Sequence, residues 1–215
     1  MKPKIILTDA DGVLFWWFGG FKKLMADKGY EMIAGTDHHY SMSSRYDIND
    51  DQAYQLINEY NESPYIAKLE PYADSVEYVR KLADYGFKFV CITSLSSNPI
   101  AAKYRKENLE KVFGDMFVEL ICLHTGSTKT NALFPWKESD LFWIEDHIKN
   151  AEAGHQMGLR SVLIQQDHNG HYETEHFAIV GPENPWKEIY EMLEETTDRM
   201  EDVADVLQRV VIKNG

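Results

Sequence analysis

Short apolar runs rich in β-branched residues alternate along this chain with segments of helical period. Six such runs, each bounded by turn residues, are Ile5–Thr8, Lys88–Thr93, Phe117–Leu123, Leu141–Glu145, Ser161–Gln165 and Phe177–Val180. The clearest helical segments between them are Ala73–Tyr85, Pro99–Val112 and Asn150–Met157. Strands that alternate with helices are typical of βαβ units, because parallel strands need a crossover connection. The pattern therefore predicts the α/β class, with a Rossmann-like, mostly parallel sheet between layers of helices.

The alternation stops between the first and second predicted strands, from Phe15 to about Leu69. This interval holds two helix-like stretches, near Gly20–Lys28 and Asp50–Asn61, with the polar segment Thr36–Asp47 between them. Ligands of open α/β sheets bind beyond the carboxyl ends of the strands, so an insertion after the first strand would cover that site. We therefore expect a small helical cap at residues 15–69 and a catalytic core formed by residues 1–14 and 70–195.

The chain from Pro185 onward has the spacing of one long helix. Its apolar positions are Leu193, Met200, Val203, Leu207 and Val210, and with Thr196 in the same register the intervals alternate between three and four. A stripe of this kind either packs a helix against the domain surface or brings two copies of the chain together. We expect residues 196–215 to form a helical extension. This extension either packs on the domain surface or mediates a homo-oligomer.

Composition narrows the class of partner. The formal net charge of −13 disfavours binding to a nucleic-acid polymer, because an acidic surface repels a phosphate backbone. No apolar run approaches the roughly 18 residues of a membrane-spanning helix. The N-terminal residues lack the long apolar core of a signal peptide. We therefore expect a cytoplasmic protein without a membrane partner, in which Cys91 and Cys122 are reduced core residues.

Two carboxylates follow the first predicted strand. Asp9 and Asp11 are separated by one residue, and Gly12 comes next, where the chain can turn away. Side chains two residues apart on a strand share a face, so both carboxylates can point into one site. Neighbouring anions repel unless a cation joins them, and Mg²⁺ prefers oxygen ligands. The pattern predicts a Mg²⁺ site, although an acidic turn after an edge strand would have the same sequence.

Polar groups also follow two later strands. Thr93 and Ser94 end one of them, and their hydroxyls either donate to a phosphoryl oxygen or cap the next helix. Glu145 and Asp146 end another, with Asn150 four residues further on. Because the carboxyl ends of parallel strands share one edge of a sheet, these groups are expected to converge on the acidic pair.

This array resembles the four motifs of the haloacid dehalogenase superfamily. In chain order, the matching residues are Asp9 and Asp11, then Thr93, then Lys129, and finally Glu145–Asp146. Glu145 stands where the superfamily usually has an aspartate. Lys106 and Lys137 are alternatives for the phosphate-binding lysine. Expelling an alkoxide from a phosphate ester needs a proton donor, so an acid at position 11 favours a phosphatase or phosphomutase.

A narrower resemblance is to the 5′(3′)-deoxyribonucleotidases. It rests on the segments Asp9–Leu14, Gly19–Phe21, Leu69–Ala73, His168–His171 and Pro185–Lys187, and on the aromatic residues that precede Gly19. Trp17 falls where that family places an aromatic side chain that stacks on the base. Phe18 and Arg45 are further candidates for contact with the substrate, although Arg45 would equally suit a side chain that faces solvent.

The resemblance implies a Mg²⁺-dependent phosphomonoester hydrolase with an aspartyl-phosphate intermediate. Asp9 would be the nucleophile and Asp11 the general acid and base. Mg²⁺ would be bound by Asp9, by Asp146 and by the backbone carbonyl of Asp11, and Glu145 and Asn150 would orient these ligands. The phosphoryl oxygens would be held by Thr93, Lys129 and Ser94.

The substrate implied is a nucleoside 5′-monophosphate, preferably a deoxy form. The alternative is a sugar phosphate or a nucleic-acid 3′-phosphate handled by the same chemistry. A non-catalytic binding protein with the same fold is a third hypothesis, which the intact acid pair and lysine disfavour.

Overall fold

A computed structural model describes residues 4–196. Its strands are β1 (Lys4–Thr8), β2 (Phe87–Ser94), β3 (Phe117–Leu123), β4 (Phe142–Glu145), β5 (Arg160–Ile164) and β6 (Ala178–Val180). They form one sheet in the order β3-β2-β1-β4-β5-β6, and each neighbouring pair is parallel. Every predicted strand is present to within one residue at either end. The predicted α/β class with a parallel sheet is confirmed.

Helices connect these strands. They are α1 (Trp17–Asp27), α2 (Met42–Tyr46), α3 (Asp50–Asn61), α4 (Ala73–Asp84), α5 (Pro99–Phe113), α6 (Thr130–Leu133) and α7 (Ile148–Gln156), with 3₁₀ turns at Ile66–Lys68 and Phe134–Trp136. Residues 185–196 are also helical, as predicted. Residues 197–215, which carry most of the predicted self-association stripe, lie outside the described residues. Within residues 4–196, every helix is too short or too polar to cross a lipid bilayer.

The sheet separates two apolar clusters, because successive side chains of a strand point to opposite faces. On β1, Ile6 belongs to the larger cluster and Leu7 to the smaller one. The larger cluster also takes in α4, α5 and the helical residues 185–196, whose Trp186 is fully buried. On the other face, α7 approaches so closely that a Cβ on Gly154 would lie 2.3 Å from the ring of Trp143. Helices thus cover both faces of the sheet.

The helical insertion (residues 15–69) lies between β1 and β2 and contains α1, α2 and α3. The predicted polar segment includes α2, a short helix that the sequence did not indicate. Phe21 of α1 meets Tyr46 of α2 and Tyr60 of α3 edge-on, with ring centroids 6.2 and 5.6 Å apart. A Cβ on Gly20 would lie 1.9 Å from the Tyr60 hydroxyl, so this close packing requires glycine there. The three helices form one packed unit.

Hydrogen bonds attach α3 to the loops that follow β2 and β3. The Asn61 amide donates to the carbonyl of Leu95 at 2.6 Å, and the Thr125 hydroxyl donates to Asn58 at 2.5 Å. Because these loops leave the carboxyl ends of their strands, the helical insertion lies beside the edge of the sheet where polar side chains were expected to converge.

Candidate active site

A cavity of about 660 Å³ opens at the carboxyl ends of three adjacent parallel strands, β2, β1 and β4. These strand ends contribute Asp9, Asp11, Thr93, Ser94, Glu145 and Asp146 to its wall. The helical insertion contributes aromatic side chains on the other side, namely Trp16, Trp17, Phe18, Tyr40 and Tyr54. The structure therefore brings the predicted site residues of all three strands together in one cavity.

Three carboxylates form a compact acidic cluster in this cavity. One oxygen each from Asp9, Glu145 and Asp146 lies within 4.8 Å of the other two. Hard divalent cations such as Mg²⁺ are bound by oxygen ligands at this kind of spacing, so the cluster fits the predicted metal. Asp9 and Asp146 were expected as ligands. Glu145 was expected to orient these ligands, but its carboxylate belongs to the cluster itself. The Asp11 side chain is not part of the cluster.

The turn after β1 makes room for the cluster. Gly12 has a φ of +75°, a left-handed conformation that favours glycine. A Cβ at this position would lie only 2.0 Å from Oδ2 of Asp146. A side chain at position 12 would thus occupy the space that the Asp146 carboxylate now fills.

Burial and mutual repulsion both act on the acidic cluster. Burial raises the pKa of Asp146 well above its usual value, and the neighbouring charges of Glu145 and Asp9 raise it further. Burial also raises the pKa of Glu145, against the opposing effect of Lys129. A divalent cation between these carboxylates would relieve both effects.

Lys129 is a buried cation beside the acidic cluster. It precedes α6, is 1% exposed, and places Nζ 2.7 Å from Oδ2 of Asp9 and 2.7 Å from Oε2 of Glu145. Burial works to lower the pKa of Lys129, but Asp9 and Glu145 outweigh it, so that pKa lies above its usual value and the amine is charged. The longer side chain at position 145 also accepts from the amide of His147 at 3.0 Å.

The two alternative lysines lie elsewhere. Lys106 is exposed on α5 and pairs with Glu110 at 3.6 Å, and Lys137 is exposed and pairs with Glu138 at 3.5 Å. Neither lines the cavity, whereas Lys129 does. Of the three candidates, Lys129 is therefore the lysine that lies beside Asp9 in the cavity.

The hydroxyl and amide candidates all line the same cavity as Lys129. Thr93 is buried and lines the cavity. Ser94 donates from Oγ to the carbonyl of Ser127 at 2.8 Å, which ties the end of β2 to the loop before Lys129. The side-chain oxygen of Asn150 accepts from the backbone amide of Lys129 at 3.4 Å. Its predicted role in orienting metal ligands stays a prediction.

Among the contributions to the site that were not anticipated from the sequence are a loop and a buried arginine. The loop Thr125–Thr128 lines the cavity, and its run of hydroxyls with one glycine directly before Lys129 was a signal that could have indicated it. The other is Arg105 of α5, which is fully buried and forms an ion pair with Oδ1 of Asp11. Ala101 and Leu109, one turn to either side, are buried as well. A cation on the apolar face of a helix was the available signal for Arg105.

Burial and Arg105 act on Asp11 in opposite directions. Burial raises the pKa of this carboxyl above its usual value, and the guanidinium of Arg105 counteracts part of the rise. The net rise in the pKa of Asp11 favours the protonated form of this carboxyl group, and a protonated carboxyl group can donate a proton.

The predicted contacts in the helical insertion are placed as follows. Trp17 lines the cavity, but its ring stacks on Phe21 at a centroid distance of 4.8 Å and its indole N–H donates to Asn61 at 2.9 Å. Phe18 also lines the cavity and lies under the guanidinium of Arg45, 4.2 Å from the ring centroid. Stacking of Trp17 on a substrate base stays a prediction.

Arg45 lines the cavity and is buried, so the alternative in which it merely faces solvent is wrong. Its guanidinium donates to the carbonyls of His39 and Asp37, each at 2.6 Å. These bonds hold the loop that carries Tyr40, whose ring meets His147 and His168 edge-on at 4.8 and 5.1 Å. Arg45 thus connects the helical insertion to the β4 side of the site.

Residues 3–200 match the model of the family described as 5′ nucleotidase, deoxy (pyrimidine), cytosolic type C protein (NT5C). An uncharacterised 32.4 kDa protein from the Gp30–rIII intergenic region of Enterobacteria phage T4 is 32% identical over 134 residues, which cover 59% of this chain. The match spans about half (47%) of the phage protein's length.

Two solved structures share the fold. A predicted phosphatase from Clostridium acetobutylicum has a TM-score of 0.63 and 18% identity, covering 90% of this chain and 99% of its own. The D,D-heptose 1,7-bisphosphate phosphatase from B. bronchiseptica, complexed with magnesium and phosphate, has a TM-score of 0.56 and 11% identity, with 90% and 99% coverage. At these identities the likeness concerns the fold.

Proposed function

The chain belongs to the 5′ nucleotidase, deoxy (pyrimidine), cytosolic type C family of the haloacid dehalogenase superfamily, and we propose that it is a Mg²⁺-dependent phosphatase of nucleoside monophosphates. The observation that carries the proposal is Asp9, held by the buried Lys129 at the centre of an acidic cluster. A solved phosphatase of the same fold contains magnesium and phosphate, which supports the choice of metal.

Asp9 is prepared to act as the nucleophile. Its Oδ2 is paired with Lys129 and its Oδ1 accepts from the amide of Ala10 at 2.6 Å, so the carboxylate has a fixed orientation. Attack on phosphorus forms the bond from Asp9 to phosphorus as the bond to the leaving oxygen breaks. Lys129 would stabilise the charge on the equatorial oxygens during this step. Mg²⁺ would further compensate that charge. Asp9 and Asp146 would bind the ion together with either Glu145 or the Asp11 carbonyl.

Asp11 serves as the proton carrier in both half-reactions. It gives a proton to the leaving oxygen in the first, and takes one from the water that attacks the aspartyl-phosphate in the second. The second step releases inorganic phosphate and regenerates the Asp9 carboxylate. Asp11 lines the cavity from the same turn as Asp9, as this role requires.

The aromatic wall from the helical insertion supports a nucleotide substrate. Trp16, Trp17, Phe18, Tyr40 and Tyr54 give the cavity flat apolar surfaces on which a base can stack. A volume of about 660 Å³ is in the range of small-ligand pockets and leaves room for sugar and base beyond the phosphoryl group. A sugar phosphate or a nucleic-acid 3′-phosphate is the second candidate, favoured by the hydroxyl-rich loop 125–128.

A panel of phosphomonoesters assayed with Mg²⁺ and with EDTA tests the proposal. It contains deoxyribo- and ribonucleoside 5′- and 3′-monophosphates, sugar phosphates, a 3′-phosphorylated oligonucleotide and p-nitrophenyl phosphate. We expect the highest kcat/KM for a nucleoside monophosphate and no turnover in EDTA. A higher kcat/KM for a sugar phosphate or the oligonucleotide would establish the second candidate. Failure to hydrolyse any ester would overturn the phosphatase assignment.

A substitution at Trp17 separates base recognition from general activity. Stacking contributes about 1–3 kcal/mol per base, so Trp17→Ala should raise KM for nucleotides by roughly five- to a hundredfold. Hydrolysis of p-nitrophenyl phosphate should change little. Trp17→Phe keeps a ring and loses only the bond to Asn61, and Trp136→Ala removes a half-buried tryptophan that does not line the cavity. Equal losses on both substrates would show that Trp17 only packs the helical insertion.

A further inference from the structure

We propose that Arg105 is a positioning residue that fixes the carboxyl group of Asp11 for proton transfer to the leaving group. The inference rests on the phosphatase activity proposed above. It concerns a residue 94 positions away in the chain, on a helix that packs against the sheet. Arg105 does not line the cavity, so it would act through Asp11 and not on the substrate.

Among residues 4–196, Asp11 is the one acceptor that holds the Arg105 guanidinium. Nη2 donates to Oδ1 of Asp11, while Nε and Nη1 have no hydrogen-bond partner among residues 4–196. The side chain is fully buried. An arginine stays charged in a protein, and a buried charge without a partner is unfavourable. Movement of Asp11 away from this contact would therefore leave a buried cation unpaired, and that holds Asp11 in place.

The guanidinium itself has little freedom. Its central carbon lies 5.3 Å from the ring centroid of Phe15, which is fully buried and meets Phe113 of α5 edge-on at 5.8 Å. Phe15 belongs to the same turn as Asp11, and a backbone bridge joins the two residues. The Arg105 side chain thus packs between α5 and the segment that carries Asp11.

The ion pair leaves part of the Asp11 carboxyl accessible. Its side chain is 21% exposed and lines the cavity, although Oδ1 is engaged by Arg105. Proton transfer requires the carboxyl to lie within hydrogen-bond reach of the leaving oxygen. A displacement of about 1 Å from such a geometry can cost on the order of a hundredfold in rate. The effect of Arg105 on the rate should therefore be larger for a leaving group that needs a proton than for one that does not.

The experiment compares an alkyl ester with an aryl ester in single turnovers. Arg105→Met should lower the phosphorylation rate on a nucleoside 5′-monophosphate about a hundredfold, and on p-nitrophenyl phosphate less than about tenfold, with little change in KM. Arg105→Lys, which keeps the charge, should recover part of the loss. Arg80→Met is the matched control, because Arg80 is exposed and donates to the carbonyl of Val112 at 3.0 Å. It should leave both rates unchanged.

A double-substitution cycle distinguishes positioning from a structural role. If Arg105 acts through Asp11, then Arg105→Met should cause no further loss in an Asp11→Asn background. Equal losses on the two esters, or losses that multiply in the double variant, would overturn the inference while the phosphatase activity stands. If Arg105→Met does not fold by circular dichroism, Arg105→Lys carries the same comparison in both backgrounds. A wild-type protein inactive on both esters would instead overturn the proposed function, and this inference with it.

Discussion

Replacing Lys129 by methionine tests how the charges of the site are held together. The substitution removes an amine that is 2.7 Å from both Asp9 and Glu145 and is almost inaccessible to solvent. Methionine fills similar space without a charge, so the two carboxylates lose their shared partner. Removal of one member of a buried ion pair typically destabilises a protein by about 3–5 kcal/mol.

This loss can be converted into a melting temperature. In a domain of this size, 1 kcal/mol corresponds to a shift in Tm of about 2–4 °C. The metal-free Lys129→Met variant should therefore melt roughly 6–20 °C below the wild type. Mg²⁺ should restore part of the difference, because it compensates the same carboxylates. Phosphate release at saturating Mg²⁺ should fall by at least about a hundredfold, as expected when a donor to the developing charge is lost.

Calorimetry with and without Mg²⁺ and a phosphate-release assay measure both effects. Lys106→Met and Lys137→Met are the controls, since each removes an exposed lysine whose partner is a surface glutamate. Neither control should change Tm or rate appreciably. The reasoning is refuted if Lys129→Met loses less than about 1 kcal/mol in the metal-free protein, or if either control inactivates the enzyme.

Three further predictions concern the carboxylates. Asp9→Asn should lower phosphate release below about a hundredth of the wild-type rate, because an amide cannot form the acyl-phosphate; a higher rate would exclude Asp9 as nucleophile. Asp11→Asn should slow single-turnover phosphorylation more on nucleotides than on p-nitrophenyl phosphate, whereas equal effects would argue against the acid role. The pKa of Glu145 is raised from 4.5 to about 7, so its stabilising contribution is complete below about pH 4.5 and is lost as the pH rises towards 7. The proposed Mg²⁺ would bind the ionised carboxylates and should therefore raise Tm more at pH 8 than at pH 5.5. An increase in Tm that does not depend on pH would contradict this.

The parts of this protein that could be predicted from sequence are those determined by local periodicity. Each strand was located to within one residue, and α3 was predicted with its observed bounds, because apolar spacing and turn residues specify them over short stretches. The short helix α2 was missed, since five residues of mixed polarity carry no period.

The site residues also differ in how far local sequence patterns could indicate them. Asp9, Asp11, Glu145 and Asp146 could be named because each lies at the end of a strand or shortly after it. Lys129 could be named only through the resemblance, with Lys106 and Lys137 as alternatives, because it lies in a loop without periodicity. The structure separates the three, since only Lys129 lines the cavity beside Asp9. Arg105 could not be assigned at all, because its partner is 94 residues away and the pairing depends on how α5 packs.

Gly12 has a consequence for which substitutions this chain can tolerate. It offers no functional group, yet its backbone adopts a φ of +75° and a Cβ there would lie 2.0 Å from Oδ2 of Asp146. Even alanine would therefore displace a carboxylate that belongs to a different strand. In a library of single substitutions, every replacement at position 12 should therefore abolish activity, as replacements of the acidic residues do. These variants should lose affinity for Mg²⁺ before they lose the fold.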